Sequence, residues 1–304
     1  MKEQTAGLPV MLNLRGPLLM TASALLFAVL DSFIKLLGPP FRIWDIAFYR
    51  FGFGLIVLVS IFGWKNNPFR SNDLKLLIIR GIVGSLAFLS LVATIQLIPI
   101  STAMVLFYSF PAFAALFSTL FLSEKVTRFE AFCIVLTFCG VAFIFDLTAG
   151  GALLGQLTGL LGACFAGLAI IAIKKLRNTN GPVIIYLYFC LLGAATALPP
   201  FVANPHFPRT HVQWFLVIGI MISSLLAQLL MNQGFHYCKS WEGGLFLTSE
   251  VIFTSLFGVF FLNEITSWRF WLGGSLIITS IIALNWGNAR RISYRGVPPP
   301  TSDL

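Results

Sequence analysis

Residues 109–124, SFPAFAALFSTLFLSE, recur 140 positions later as residues 249–264, SEVIFTSLFGVFFLNE, with Ser, Phe, Leu, Phe, Phe, Leu and Glu in register and no gap. A slide of 139 lays Lys35 on Lys174 and Ala24 on Ala163. Self-similarity at a fixed offset dictates architecture before any motif does. The chain therefore reads as two halves, residues 1–150 and 151–304, built on one plan. Both copies of the repeated stretch are apolar, and so is most of the sequence around them.

Of 304 residues, 58% are hydrophobic and only 10% charged, with 31 Phe and 26 Gly, and the mean hydropathy is +0.89. Water cannot surround such a chain, and a soluble globular protein is excluded. A helix crosses about 30 Å of hydrocarbon with roughly 20 apolar residues. Runs of that kind predict spans over 15–37, 43–64, 75–97, 100–122, 128–147, 153–174, 182–203, 211–234, 242–263 and 267–288. The first is too long for the apolar core of a cleaved leader and is read as a span. Five spans per half is an odd number, so the second half enters the membrane from the opposite side. The expected fold is an all-α integral membrane protein of ten transmembrane helices in two inverted five-helix repeats. Such plans place a binding site near the midplane, between the halves.

The net charge of +9 does not point to nucleic acid, because the basic residues punctuate the apolar runs instead of clustering on one face. With the N-terminus inside, fourteen of the twenty Lys and Arg, from Lys2 and Arg15 to Arg295, fall on the inner side; Arg42, Arg209 and Arg269 fall outside. That asymmetry places both termini in the cytoplasm of a multi-pass inner-membrane protein. Five cysteines without CxxC spacing read as buried small hydrophobes. No metal site and no cofactor are expected. The partners are the lipid bilayer and a small-molecule substrate.

Lys35, Arg50 and Arg80 complete the twenty and lie within spans. The repeat sorts them. Polar groups present in both halves serve the scaffold, and those that break the symmetry are candidates for function. Glu124 with Glu264, and Lys35 with Lys174, are symmetric and sit at span ends. A helix-terminal or snorkelling role is enough for them, although a gate at the two glutamates stays open. Asp31, Arg50, Arg80 and Glu250 are asymmetric, facing Ile170, Phe189, Gly219 and Phe110 in the other half. A charge at a helix centre costs about 2.5–3.5 kcal/mol on insertion scales, and such residues face a partner or a wet cavity.

By the rise of 1.5 Å per residue, Asp31 and Arg50 each lie about 6 to 7 Å outward of their span centres, so the two can pair. Lys35, four residues after Asp31, competes for the same carboxylate. Glu250, near the middle of span nine, is the strongest single candidate, to hold a cationic group or to carry a proton. Pro111 removes a helical hydrogen bond in span four and predicts a kink there. Gln228, Asn232, Gln233 and His236 form a polar cluster in span eight and its exit. Gly81 with Gly84, Gly159 with Gly162, and Gly273 with Gly274 are points of close helix contact.

Taken together, LLFAVLDSFIKLLG (25–38), FYRFGFG (48–54), IIRGIVG (78–84), IPISTAMVLFYSFPAF (98–113) and FLSEKVT (121–127) resemble the ten-helix, EamA-type branch of the drug/metabolite transporter superfamily. The likeness runs over roughly 15–290. Within that superfamily the Asp of span one and the FYRF and IIRG segments are most similar to bacterial S-adenosylmethionine uptake carriers, while NQGFHYCKSWEGG (232–244) departs from them. The resemblance implies a central cavity lined by spans one, three, four, six, eight and nine. That assigns Asp31, Tyr108, Ser109, Asn232, Gln233 and Glu250 to substrate binding and leaves Arg50, Arg80 and Lys35 to charge pairing or coupling.

The expected function is a secondary transporter of a small polar metabolite, S-adenosylmethionine or an amino-acid-like compound, working by alternating access. The alternatives are a drug, metabolite or amino-acid exporter of the same fold, a channel, or a membrane scaffold without transport. An intramembrane enzyme is set aside because the chain holds no GxGD, GxSG or HExxH motif.

Overall fold

The computed structural model describes residues 15–62, 73–122, 127–144, 150–176, 179–237 and 246–294. Among these the chain is helical and without strands. The helices are α1 (Arg15–Leu37), α2 (Ile43–Phe62), α3 (Leu74–Leu97), α4 (Ile100–Phe107), α5 (Phe110–Leu122), α6 (Arg128–Ile144), α7 (Gly150–Leu176), α8 (Pro182–Ala203), α9 (His211–Tyr237), α10 (Ser249–Phe261) and α11 (Trp268–Tyr294). Seven segments are long and apolar enough to cross a bilayer, with α4 and α5 together forming one of them. Shorter apolar helices, Ala131–Ile144, Ser249–Phe261 and Trp268–Ala283, stand where three further spans were predicted.

Local chemistry sets the boundaries. Gly38 takes φ 66°, a left-handed conformation that glycine adopts without strain, and Pro39 and Pro40 follow, so α1 stops at Leu37. Asp73 caps α3 by accepting from the Leu76 N–H at 3.3 Å. Pro182 opens α8, where its missing N–H costs nothing. At the start of α2, the Arg42 guanidinium donates to Asp45 (2.8 and 3.1 Å) and also reaches the carbonyls of Pro200 and Asn204 at the end of α8. One arginine thus ties two helix ends.

The halves interlock rather than stack as blocks. The main packing pairs are α1 with α9, α3 with α7, α2 with α8, and α6 with α11, joined by α1 with α10, α5 with α7, and α4 with α10. Shifting every helix by half the chain turns α1–α9 into α7–α3 and α1–α10 into α7–α5. It maps α2–α8 and α6–α11 each onto itself. Apolar residues from both halves form one core, including Leu30, Phe51, Met104, Leu187, Val217 and Ile277. Leu120, Phe121, Phe132, Phe215, Phe260 and Phe261 point outward. That surface suits hydrocarbon, in which only internally bonded backbone is stable.

Gly273, expected to act with Gly274, instead pairs with Gly140: a Cβ on either would lie 2.6–2.7 Å from the carbonyl oxygen of the other. The α6–α11 crossing is a backbone contact with no room for a side chain. Gly273→Leu should lower stability in detergent by about 1–3 kcal/mol, the usual overpacking cost, read as a drop in the thermal midpoint. Gly52→Ala, where nothing lies within 4 Å, should leave it unchanged or slightly raised.

Candidate functional site

Span four is broken in the middle. α4 ends at Phe107, Tyr108 and Ser109 form a turn, and α5 starts at Phe110, as the proline at 111 requires. The Ser109 hydroxyl closes the gap by donating to the Leu106 carbonyl at 2.7 Å. Span nine, which has Val251 at the equivalent position and no expected kink, is broken as well. Residues 246 and 247 are helical, Thr248 is a turn, and α10 starts at Ser249. Here the Ser249 hydroxyl donates to the Phe246 carbonyl at 2.5 Å, the same bond moved by 140 residues. Serine is common to both breaks and proline is not, so the serine carries the shared geometry.

The two breaks meet at a buried acidic cluster. The Tyr108 hydroxyl, at the first break, lies 2.7 Å from Glu250 Oε2 and 3.1 Å from the Leu247 carbonyl at the second. Glu250 sits in the first turn of α10, where unpaired backbone N–H groups and the helix dipole favour a carboxylate. Asp31, arriving from α1, which packs against α10, interacts electrostatically with it. Both acids are at least nine-tenths buried, and Asp31 Oδ2 has no hydrogen-bond partner. Thr254, one turn beyond Glu250, is buried with its hydroxyl oxygen unpartnered. Polar atoms out of water without partners cost free energy that a bound polar group recovers.

Arg50 is buried and acts on this cluster, and Arg80 is buried and acts on Arg50, each lying on an aromatic face. Arg50 Cζ is 3.8 Å from the Phe88 ring centroid, and Arg80 Cζ is 4.5 Å from that of Phe189. Both rings stand edge-on to Phe51, at 5.3 and 4.9 Å. Arg50 interacts electrostatically with both Asp31 and Glu250. Even so, the Asp31–Arg50 ion pair that their depths allowed does not form. Among the described residues the one ion pair within 4.0 Å is Arg42–Asp45.

Lys35 does not compete for Asp31 either. Its ammonium donates to the carbonyls of Ile95 (2.8 Å) and Ile98 (2.6 Å) at the end of α3. Glu264 completes this region from the other half. Its carboxylate accepts from the N–H groups of Ile100 and Ser101 and from the Ser101 hydroxyl, capping α4. Asn263, at φ 53°, makes the turn that brings it there, and the Glu264 N–H closes on the Gly258 carbonyl at 3.0 Å. A Cβ on Gly258 would meet both the Ser101 hydroxyl and the Glu264 carboxylate. These symmetric charges serve helix ends.

Of the predicted binding residues, Asp31, Tyr108 and Glu250 are brought together. Ser109 is buried but its hydroxyl is spent on the backbone. Gln233 is exposed near the end of α9. The Asn232, His236 and Lys174 side chains, and Glu124 itself, lie outside the described residues. Sequence reasoning missed Thr254 and the Phe51–Phe88–Phe189 bracket. A single hydroxyl and phenylalanines in an apolar run carry no signal of their own.

The chain belongs to the EamA-like transporter family, whose sequence profile matches residues 14–146 and again 153–286. The pseudopaline exporter CntI of Pseudomonas aeruginosa is 25% identical over 89% of this chain and 95% of that protein. Human solute carrier family 35 member G1 is 23% identical over 90% of this chain and 78% of its own. An S-adenosylmethionine uptake transporter of Rickettsia bellii is 21% identical over 87% of this chain and 91% of its own. A solved crystal structure superposes with a TM-score of 0.64 at 17% identity, covering 91% of this chain and 98% of that one, a likeness of fold. Family and relatives are transporters, not enzymes.

The cap on α4 gives a direct test. Glu264→Ala should destabilise the protein in detergent by about 1–3 kcal/mol, because two helix-terminal N–H groups lose a charged acceptor. Gly258→Val should do the same by displacing the carboxylate. Equal stability of all three proteins in a chemical denaturation series would show that the cap is idle.

Proposed function

We propose that this EamA-family protein is a secondary transporter that carries a small polar metabolite with an amine or other cationic centre across the inner membrane by alternating access. Ten spans, in two inverted five-helix repeats over residues 1–150 and 151–304, put both termini in the cytoplasm. The exchange of packing pairs under the half-chain shift supports the inverted plan, and the asymmetry of Lys and Arg supports the orientation. In this plan the broken spans four and nine lie where the halves meet, the usual place for a transporter's site.

One observation carries the choice of substrate. Two carboxyl groups, Asp31 and Glu250, are buried and act on each other electrostatically, and Asp31 Oδ2 is unsatisfied. Buried like charges repel, so a cation placed between them satisfies both. S-adenosylmethionine, with its sulfonium and amine, and amino-acid-like compounds fit that requirement. The likeness to an S-adenosylmethionine uptake transporter agrees with uptake. The likeness to a pseudopaline exporter favours a second reading, export by the same site.

Asp31, Glu250 and Tyr108 bind the substrate in this scheme, and Arg50 tempers the acidic pair without neutralising it. Purified protein in proteoliposomes should show saturable uptake and counterflow of a labelled panel containing S-adenosylmethionine. Asp31→Asn and Glu250→Gln should each lower that rate by about tenfold or more, the loss of one charged hydrogen bond. Each should also melt no lower than wild type, since removing one of two like charges relieves repulsion. If both variants transport normally at every pH tested, these residues are not the site. Ohmic, non-saturating current would replace the carrier with a channel.

A further inference from the structure

Glu264 fastens the two halves of the chain to each other. Its carboxylate belongs to the second half, while the Ile100 and Ser101 amides and the Ser101 hydroxyl that donate to it belong to the first. The two bonds from Ser101 measure 3.1 and 2.7 Å. Lys35 of α1, fixed to the carbonyls at the end of α3, acts electrostatically on the same carboxylate. A helix cap is usually supplied by a residue next to the helix in sequence. This one comes from 163 residues away.

The clasp and the acidic pair lie along one seam. α4 and α10 run antiparallel, with Tyr108 against Glu250 at one end and Ser101 against Glu264 and the space over Gly258 at the other. Positions 250, 254 and 258 follow one another by a turn on one face of α10, and all three are buried. Gly258 is about 12 Å along the helix from Glu250. Thr254 stands midway, 0% exposed, with its hydroxyl oxygen unpartnered. Between Ser101 and Tyr108 the buried side chains of α4 are Ala103, Met104, Val105 and Leu106, which offer that hydroxyl nothing. Closing the seam therefore gains charged hydrogen bonds at Glu264 and costs Thr254 its water. Such opposed contributions make a two-state element that either residue can bias.

We infer that this seam is the outer path to the Asp31–Glu250 site, that Glu264 is its gate, and that the structure shows the gate shut. The inference rests on the alternating-access reading above and on its orientation, in which α10 runs outward and the clasp lies on the outer side of the acids. Halves that rock about a midplane site must part on the side that opens. Releasing Glu264 separates α4 from α10 and lets water reach Thr254. An inverted duplication needs one closure for each face, and the repeat places Glu124 at the matching position of the other half.

The test is thiol labelling of the full chain with its five cysteines replaced by alanine. The reporter is Met104→Cys, on the stripe of α4 that runs from Ser101 to Tyr108. A membrane-impermeant methanethiosulfonate is applied to whole cells and, separately, to inside-out vesicles. With Glu264 intact, labelling from outside should be slow. Glu264→Gln should raise that rate about tenfold or more, the smallest worth of a charged hydrogen bond, and lower the rate from inside. Thr254→Val, alone or with Glu264→Gln, should slow outside labelling about fivefold or more, because the shut seam no longer buries an orphan hydroxyl. Arg42→Ala, which cuts the tie between the ends of α2 and α8, should change neither rate.

Outside labelling that ignores Glu264→Gln, or Thr254→Val where the first variant fails to fold, overturns the inference. So does a rise that Arg42→Ala reproduces, which is a loosening of the whole outer end, or a rise seen only from the inner side. If Glu264→Gln speeds labelling from both sides together, the alternating-access reading falls as well. If transport depends on Asp31 and Glu250 while labelling is indifferent to Glu264, that reading stands and the gate alone falls.

Discussion

A backbone inside hydrocarbon finds no water to bond, so an interrupted helix must satisfy its own loose ends. Everything around the site follows from how this chain meets that constraint at 108–109 and at 248. Serine hydroxyls at 109 and 249 return to carbonyls three residues back. The Tyr108 hydroxyl lies against the second break and its glutamate. The breaks are thereby stable enough to expose helix-terminal N–H groups, and Glu250 sits on such a terminus. Without the interruption, a carboxylate in the middle of span nine has no dipole to face.

The repeat works as a filter on charge. Lys35 and Glu264, each with a counterpart in the other half, do the work of capping: one holds the last carbonyls of α3, the other the first amides of α4. The asymmetric charges collect in one buried region and, among themselves, make no close ion pair. A duplicated fold needs its helix ends closed in both copies, whereas an asymmetric small molecule needs its site only once. Duplication followed by divergence separates the two needs along the chain.

Much of this was legible in the residues. Helix limits at 37, 97 and 203 follow from Gly38, Pro99 and the polar run after Ala203, and the predicted spans match them. The gathering of Asp31, Tyr108 and Glu250 was visible through symmetry breaking and through the family resemblance. Three features were not. Depth along a helix says nothing of azimuth, so Asp31 and Arg50 at one level need not touch. The i, i+4 spacing of Asp31 and Lys35 was outweighed by carbonyls that only tertiary packing brings near. The break in span nine was hidden because proline was taken as its signal, when the shared serine was the better one.

Glu264 grips main-chain amides as well as a hydroxyl. Any residue but proline supplies an amide, so the hold itself asks nothing of the side chain at 100, which is restricted instead by its burial in the core. The gripping turn has no such freedom: Asn263 supplies a left-handed backbone and Gly258 an empty space, and each role admits few residue types. The two sides of the contact are therefore restricted in different ways: the clasped helix by the core in which it is buried, and the clasp at 258–264 by backbone conformation and empty space.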